Sequence, residues 1–517
     1  MKMTSRRSFM VGTAQLTGLL TAGLNLRAGT GGETKSSNLP IDIWPKLKPK
    51  LCAEADKKVV KLTPGSQITL DAANGVLAPD IRSVSVQSVG DKTAVIPSEG
   101  FLTFALDVAE PLYVTGTASV VPDGDLRPGL RFYVLSDDTV VAAPMVAAPA
   151  WVGVGNAGTG PAPDCRGTKP PDAVPLVKWF LSKGRHYITV AGPHFRPGGT
   201  FKRLEITALN NNVENPQYQF ALVADSHLSL GKRYKWTNVI MTEPSIAKEL
   251  AATFKALREE GVDFAMFAGD MTNSATRDQF QQLADVLEES KMPCYGCVGN
   301  HDAYHKTSRP DQFELLPGMF PGVATDYILY KRPLRFIVLD GSFWKHKDGK
   351  FHDFYDKKQS VGIGMKPEQI EWLQWALASD VTTPTVIVSH YAFKVNNDVS
   401  SAEFNLAKTP PASVGPKVME LLSKAPNVVA TLNGHTHWNE LASHGDIQCI
   451  QNAAFAEWPC MYRVFRVYAD RVEWEVRQAG NRGLICEACL PEKALTWMIS
   501  THAGDLAGEV RFRAGNK

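Results

Sequence analysis

Five short polar motifs, each at the end of an apolar run, constrain this 517-residue chain more than any other feature. The runs are Phe220–Ala224, Phe264–Ala268, Cys294–Val298, Thr385–Val388 and Val428–Leu432. The motifs that follow them are Asp225-Ser226-His227, Gly269-Asp270, Gly299-Asn300-His301-Asp302, Ser389-His390 and Gly434-His435-Thr436-His437. Apolar runs of roughly four to eight residues between turn signals suit strands buried on both faces. A sheet covered by helices builds its sites just past the carboxyl ends of its strands. The five motifs therefore predict one shared site.

The residue types in the motifs set its chemistry. Asp225, His227, Asp270, Asn300, His390, His435 and His437 offer oxygen and imidazole nitrogen and no thiolate, a donor set that suits Zn, Mn or Fe. Seven donors are too many for one tetrahedral ion and suit two ions that share a carboxylate, roughly 3.5–4 Å apart. A single Asp or His at a strand end is ordinarily a cap or a satisfied polar group. Here five of the chain's 12 histidines fall inside the motifs, so coincidence is a poor explanation.

The ordered set D-x-H, GD, GNHD, H and GHTH resembles the calcineurin-like metallophosphoesterases over roughly Gln217 to Gln478. The close spacing of Gly269-Asp270 and Gly299-Asn300-His301-Asp302 looks most like their class III cyclic nucleotide phosphodiesterase branch. The resemblance implies an α/β fold, a four-layer αββα sandwich of two mixed sheets flanked by helices. It also implies two metal ions, with Asp225, His227, Asp270 and His437 on the first and Asp270, Asn300, His390 and His435 on the second, Asp270 bridging. Asn300 would also align a phosphoryl oxygen. His301 would stand over the leaving group as the catalytic acid, with Asp302 as its orienting partner. Two departures are visible: Asn273 stands where purple acid phosphatases carry a tyrosine ligand, and Tyr391 where many relatives have a second histidine.

The implied activity is hydrolysis of a small-molecule phosphodiester, a cyclic nucleotide among the candidates, or of a phosphomonoester. Two cations supply hydroxide near neutral pH and hold the phosphoryl oxygens, and His301 protonates the leaving oxygen. The alternative is a secreted glycan- or ligand-binding protein with an inert phosphoesterase domain. The complete donor set argues against it.

The beginning of the chain reads differently. Ser5-Arg6-Arg7-Ser8-Phe9-Met10 opens a mildly apolar stretch to Leu26, and residues 1–32 read as a bacterial twin-arginine export signal. That implies the twin-arginine export machinery as a partner and a periplasmic or secreted destination. The stretch is short of the ~20 apolar residues a membrane span prefers. Export in the folded state suits a protein that acquires its metals first. Eight cysteines fit an exported chain without imposing a disulfide framework. Cys294 and Cys297 read as small buried residues, whereas Cys486-Glu487-Ala488-Cys489 is a candidate disulfide or half zinc site. A net charge of +2 leaves no nucleic-acid footprint.

Residues 33–58 are polar and proline-marked and read as a linker. Val59 to Asn210 then shows repeated short β-type runs, among them Phe101–Val108, Leu112–Val121, Val177–Leu181 and Phe201–Leu209, with Lys183-Gly184 as a hairpin turn. This pattern predicts an all-β sandwich, jelly-roll-like and distantly similar to carbohydrate-binding modules. Trp151, Trp179 and Tyr187 are candidates for a sugar platform, though core packing accounts for them better. The catalytic domain spans 217–480, with helices over Ser245–Glu260, Arg277–Glu289 and Pro367–Ala378 and a closing hairpin of Tyr462–Tyr468 with Arg471–Gln478. A tail, 481–517, follows. Between the motifs, Gly341 to Met365 is rich in aromatic and basic residues and reads as a long binding loop that stacks a ring and neutralises a phosphate. Lys394 to Pro411 is a candidate second wall, and Leu228 to Pro244 an inserted loop.

Overall fold

A computed structural model describes residues 44–78, 88–89, 93–95, 101–121, 133–142, 173–191, 200–210, 213–231, 235–236, 239–240, 245–394, 415–437, 439–457, 459–481, 483–485 and 505–512. Residues 1–32, expected as an export signal, Trp151, Cys486, Cys489, residues 395–411 and much of the 228–244 insertion lie outside them.

All five apolar runs are strands: Tyr218–Val223, Phe264–Phe267, Cys294–Gly296, Thr385–Ser389 and Val428–Asn433. The first three pair in parallel, and Met461–Val467 joins antiparallel beside Tyr218–Val223, followed by Arg471–Gln478. The other two belong to a second mixed sheet, ordered Tyr327–Lys331, Leu334–Leu339, Thr385–Ser389, Val428–Asn433, Ile447–Gln451, Glu440–His444. Alternation along its strands sorts the side chains by face. Phe336, Val338, Val386 and Val388 join a core shared with Phe220, Phe264 and Phe465 of the first sheet. Ile337, Leu339 and Ile387 join a separate core with the helices Pro367–Ser379 and Gly415–Ser423. Helices Ser245–Glu259 and Arg277–Ser290 cover the first sheet with Ile246, Leu250, Phe254, Leu257, Phe280 and Leu283. The result is helix, sheet, sheet, helix, with the five motif-bearing strand ends in its middle layers.

The N-terminal strands form two facing sheets. Phe101–Val108 and Gly184–Ala191 lie in one, and Leu112–Val121, Ala173–Leu181 and Thr200–Ala208 in the other. Trp179, Phe104, Leu106, Ile188, Leu204 and Ile206 fill the space between them. Trp179 is only 1% exposed and so is a core residue, not part of a sugar platform. The Tyr187 hydroxyl donates to Asp56 Oδ2 at 3.0 Å.

Several expectations need correction. Residues 44–55, expected as linker, form the helix Trp44–Ala55. Its Trp44, Leu51 and Ala55 make a buried stripe, and the Trp44 ring lies 5.1 Å from that of Phe101. Pro45 and Pro49 hid that period. Lys183-Gly184 is not a hairpin turn, because the strands it joins pair in different sheets. It carries the chain from one face of the core to the other, with Gly184 at φ 128°. Residues 341–365, expected as a long binding loop, contain a three-stranded antiparallel sheet in which Phe343–His346 lies between Phe351–His352 and Ser360–Gly364. Part of the tail, Ala507–Arg511, is a strand on Arg471–Gln478.

One N-terminal sheet also continues into the first central sheet, where Thr139 pairs with Arg477. Glu475 stabilises this join by accepting from Arg466 at 2.8 Å, Arg477 at 3.0 Å and the Thr139 hydroxyl at 3.2 Å. A buried carboxylate so fully paired avoids the cost of an uncompensated charge.

The inter-sheet core centres on Phe220, stacked at 4.6 Å on Phe465 and 5.3 Å on Phe264, with Phe336 edge-on at 5.4 Å. Phe220→Ala is expected to lower stability by about 3–5 kcal/mol. Trp375→Ala, at a residue 61% exposed, should change it by less than about 0.5 kcal/mol. Denaturant unfolding monitored by circular dichroism checks both, and equal losses would contradict this packing.

Candidate metal centre

At the strand ends the backbone turns through the left-handed region at five residues other than glycine. These are Asp225 (φ 53°), His227 (43°), Asp270 (50°), His435 (75°) and His437 (68°). Such conformations cost on the order of 1–3 kcal/mol each and persist where the surroundings impose them. Here the two loops brace each other, with Asp225 N–H on the Gly269 carbonyl at 3.1 Å and His227 N–H on that of Asp270 at 3.0 Å. The glycines are steric requirements. A Cβ on Gly299 would lie 2.1 Å from Asp270 Oδ1, and one on Gly269 2.6 Å from His390 Nδ1.

The folded chain brings all seven predicted donors together. Ligand atoms of Asp225, His227, Asp270 and His437 lie within 4.8 Å of one another, as do those of Asp270, His390 and His435. Asp270 belongs to both groups. Asn300 Oδ1 lies 3.2 Å from His390 Nε2, which puts the amide at the second group. Inside the first, His437 Nε2 is 3.3 Å from Asp225 Oδ1 and 3.3 Å from His227 Nε2. Inside the second, His390 Nε2 is 3.3 Å from Asp270 Oδ2 and 3.2 Å from His435 Nδ1.

These contacts fit metal ions. His390 Nδ1 donates to the Ala268 carbonyl at 2.8 Å, and His437 Nδ1 contacts Glu457 Oε1 at 2.6 Å. With Nδ1 carrying the hydrogen, the Nε2 lone pair of each neutral ring faces a carboxylate oxygen and another imidazole nitrogen. Lone pairs converge in this way around a cation, and partners on the far ring nitrogen fix a metal ligand's tautomer. Residues Asp225, His227, Asp270 and His437 would hold one ion, and Asp270, Asn300, His390 and His435 the other.

Glu457 was not singled out in the sequence. Its only signal is a lone acid ending the apolar run Ala453–Ala456, and it is 3% exposed. Tyr391, which replaces the second histidine, donates from its hydroxyl to Asn300 Oδ1 at 3.1 Å.

His301 lies against the first group, its ring edge-on to that of His227 at 4.7 Å. Its N–H donates to Asp270 Oδ1 at 2.8 Å and its Nδ1 to the Asn273 carbonyl at 2.7 Å. The expected orienting role of Asp302 is therefore corrected: the carbonyl of Asn273 positions the ring. Asp302 instead accepts from the N–H of Met271 (3.1 Å), Thr272 (2.8 Å) and Gly299 (3.0 Å) and from the Thr272 hydroxyl (2.9 Å). Those donors saturate its carboxylate and tie the Asp270 and Asn300 loops together. Burial, with the charge of Asp270, pushes the Asp302 carboxyl up to about 7 against these bonds.

The imidazoles alternate in protonation when no cation is bound. Burial alone would lower both His390 and His437, but Asp270 raises the first to about 9, and Glu457 with Asp225 raises the second to about 10. His227 and His435 sit well below the usual histidine value, from burial and from neighbouring His301 and His390 respectively. Ligands must be neutral, so a metal displaces the protons on His390 and His437. Both folded pKa values exceed the unfolded ~6.5. Their contribution to the stability of the metal-free protein is thus complete below ~6.5 and lost as pH rises through 9 to 10. Calorimetric metal titrations at pH 7 in buffers of different ionisation enthalpy should show about two protons released on full loading. Between pH 7 and 9 affinity should rise while the metal-free protein becomes less thermostable, and loading without proton release would contradict this pattern.

The chain is 22% identical over 217 residues to a probable cyclic nucleotide phosphodiesterase from Synechococcus, covering 42% of this chain and 72% of that protein. It is 23% identical over 189 residues to a probable glycerophosphodiester phosphodiesterase from Arcobacter nitrofigilis, covering 35% and 60%. Among solved structures, a dimetal phosphatase from Danio rerio aligns with 51% of this chain and 97% of its own at 17% identity and a TM-score of 0.40. Residues 218–439 match the family model described as calcineurin-like phosphoesterase, which supports a metal-dependent phosphoesterase domain over that segment.

Proposed function

We propose that this protein is an exported dinuclear-metal hydrolase of phosphoric esters, acting on diesters in preference to monoesters. The observation that carries the reading is the single buried carboxylate, Asp270, common to two groups of ligand atoms. Two ions bound there would lower the pKa of a water and neutralise phosphoryl oxygens. The names carried by the Synechococcus and Arcobacter proteins support a diester substrate, a cyclic nucleotide among them.

The chain's own residues supply the rest of the reaction. Asn300, held by Tyr391, aligns a phosphoryl oxygen beside the second group. His301, its Nδ1 donating to the Asn273 carbonyl, is the residue we read as giving the departing oxygen its proton. Expulsion of an alkoxide needs that proton, whereas expulsion of p-nitrophenolate hardly does. No phosphorylated side chain is needed. Export rests on the twin arginine Arg6-Arg7, and we read the two facing N-terminal sheets as a β-sandwich domain that precedes the catalytic one.

Hydrolysis of bis(p-nitrophenyl) phosphate and p-nitrophenyl phosphate by stripped protein reloaded with Mn, Zn or Fe tests the reading. Metal-dependent turnover with preference for the diester is expected, and its loss in Asp270→Ala. His301→Ala should lower kcat by about 10²–10⁴ on alkyl diesters and by much less on the p-nitrophenyl ester. Absence of turnover with every metal would overturn the hydrolase reading.

A further inference from the structure

Beside His301 lies a cleft of about 620 Å³ lined by Ser274, Tyr304, His305, Trp344 and Tyr355. Three of these residues form an aromatic cluster. Tyr304 lies parallel to Trp344 at 5.9 Å, and Tyr355 tilts against Trp344 at 4.7 Å and meets Tyr304 edge-on at 5.9 Å. Tyr355 keeps 41% of its surface exposed, a large amount for an aromatic side chain.

The cluster is fixed to the site. The Trp344 indole N–H donates to the Ala303 carbonyl at 2.8 Å, one residue beyond Asp302, and Tyr355 N–H donates to that of Tyr304 at 3.2 Å. The Tyr304 ring meets that of His301 edge-on at 5.3 Å. The small sheet that carries Trp344 is anchored from below. Arg309 donates twice to Asp340 Oδ2, at 2.8 and 2.9 Å, and once to the Asp353 carbonyl at 2.7 Å, with its guanidinium 4.2 Å above the Phe343 ring. From the first ligand group through His301 to Tyr304 the rings touch in succession, His227 to His301 at 4.7 Å and His301 to Tyr304 at 5.3 Å between ring centres.

We infer that Tyr304, Trp344 and Tyr355 form a subsite for a planar aromatic ring on the ester group that lies over His301, with Ser274 and His305 facing the ring's polar edge. The inference deepens the hydrolase reading and rests on it for the position of the phosphorus. Rigid aromatic walls stack a planar ring and gain little from a short alkyl chain. A simple aryl group and a nucleobase share this chemistry.

Matched phosphorylated ligands separate the two sources and need no turnover. Calorimetry on the Mn-loaded full chain compares phenylphosphonate with methylphosphonate, and adenosine 5′-phosphate with ribose 5-phosphate. The ring-bearing member should bind about tenfold more tightly in at least one pair, the first pair identifying an aryl subsite and the second a nucleobase subsite. Trp344→Ala and Tyr355→Ala should bring that ratio towards one, and Trp344→Phe, which keeps a ring, should preserve most of it. Equal affinities within both pairs, or a ratio untouched by both alanine variants, would overturn the subsite. Bis(p-nitrophenyl) phosphate turnover is measured on the same samples. Turnover with equal affinities removes the subsite alone. A ring preference without turnover removes the hydrolase reading and keeps the subsite.

Discussion

The site depends on one buried carboxylate and on what is packed round it. Asp270 is 1% exposed, and a bare carboxylate in such a place is costly unless opposite charge and hydrogen bonds surround it. Its Oδ1 accepts the His301 N–H at 2.8 Å, and its Oδ2 lies 3.3 Å from His390 and 3.7 Å from His227. Those groups, one backbone N–H and two imidazoles, come from three different strand ends in two sheets, so the sheets must pack face to face before Asp270 has partners. The glycines at 269 and 299 are there because Asp270 and His390 occupy the space where their side chains would be. A second carboxylate, Asp302, lies behind and ties the same loops through backbone N–H groups.

Much of the central fold was legible because it is local. Each apolar run between turn signals became a strand, and the three helices expected in this domain begin where expected and end within a residue of it. The site was legible for a related reason. In a sheet of this kind polar residues just past a strand meet polar residues past its neighbours, so Asp225, Asp270, Asn300 and His390 could be grouped without knowing the strand order. Glu457 could not, since nothing local says that an acid after Ala456 will reach His437. The partner of His301 was misread for the opposite reason. Asp302 is its neighbour in sequence, but a carboxylate beside three backbone N–H groups bonds to them first.

What local patterns did not show is long-range pairing. The strand Ala507–Arg511 has no partner near it in sequence and pairs instead with Arg471–Gln478. Arg471–Gln478 in turn meets Thr139 at its other end, through Arg477, so an N-terminal sheet runs into the central one. An open sheet edge invites unwanted pairing, and here both neighbours of Arg471–Gln478 cover it. Arg466, Arg477 and Glu475 lie under that junction, each paired, which explains how strongly charged residues occupy a buried strand.

Metal content is the most direct test of the shared carboxylate. Elemental analysis of full-length protein reloaded with Mn or Zn and freed of excess ion should give two ions per chain for the wild type and fewer for Asp270→Ala, whose fold is checked by circular dichroism. One ion in the wild type, or two retained by a folded Asp270→Ala, would contradict a site built on Asp270.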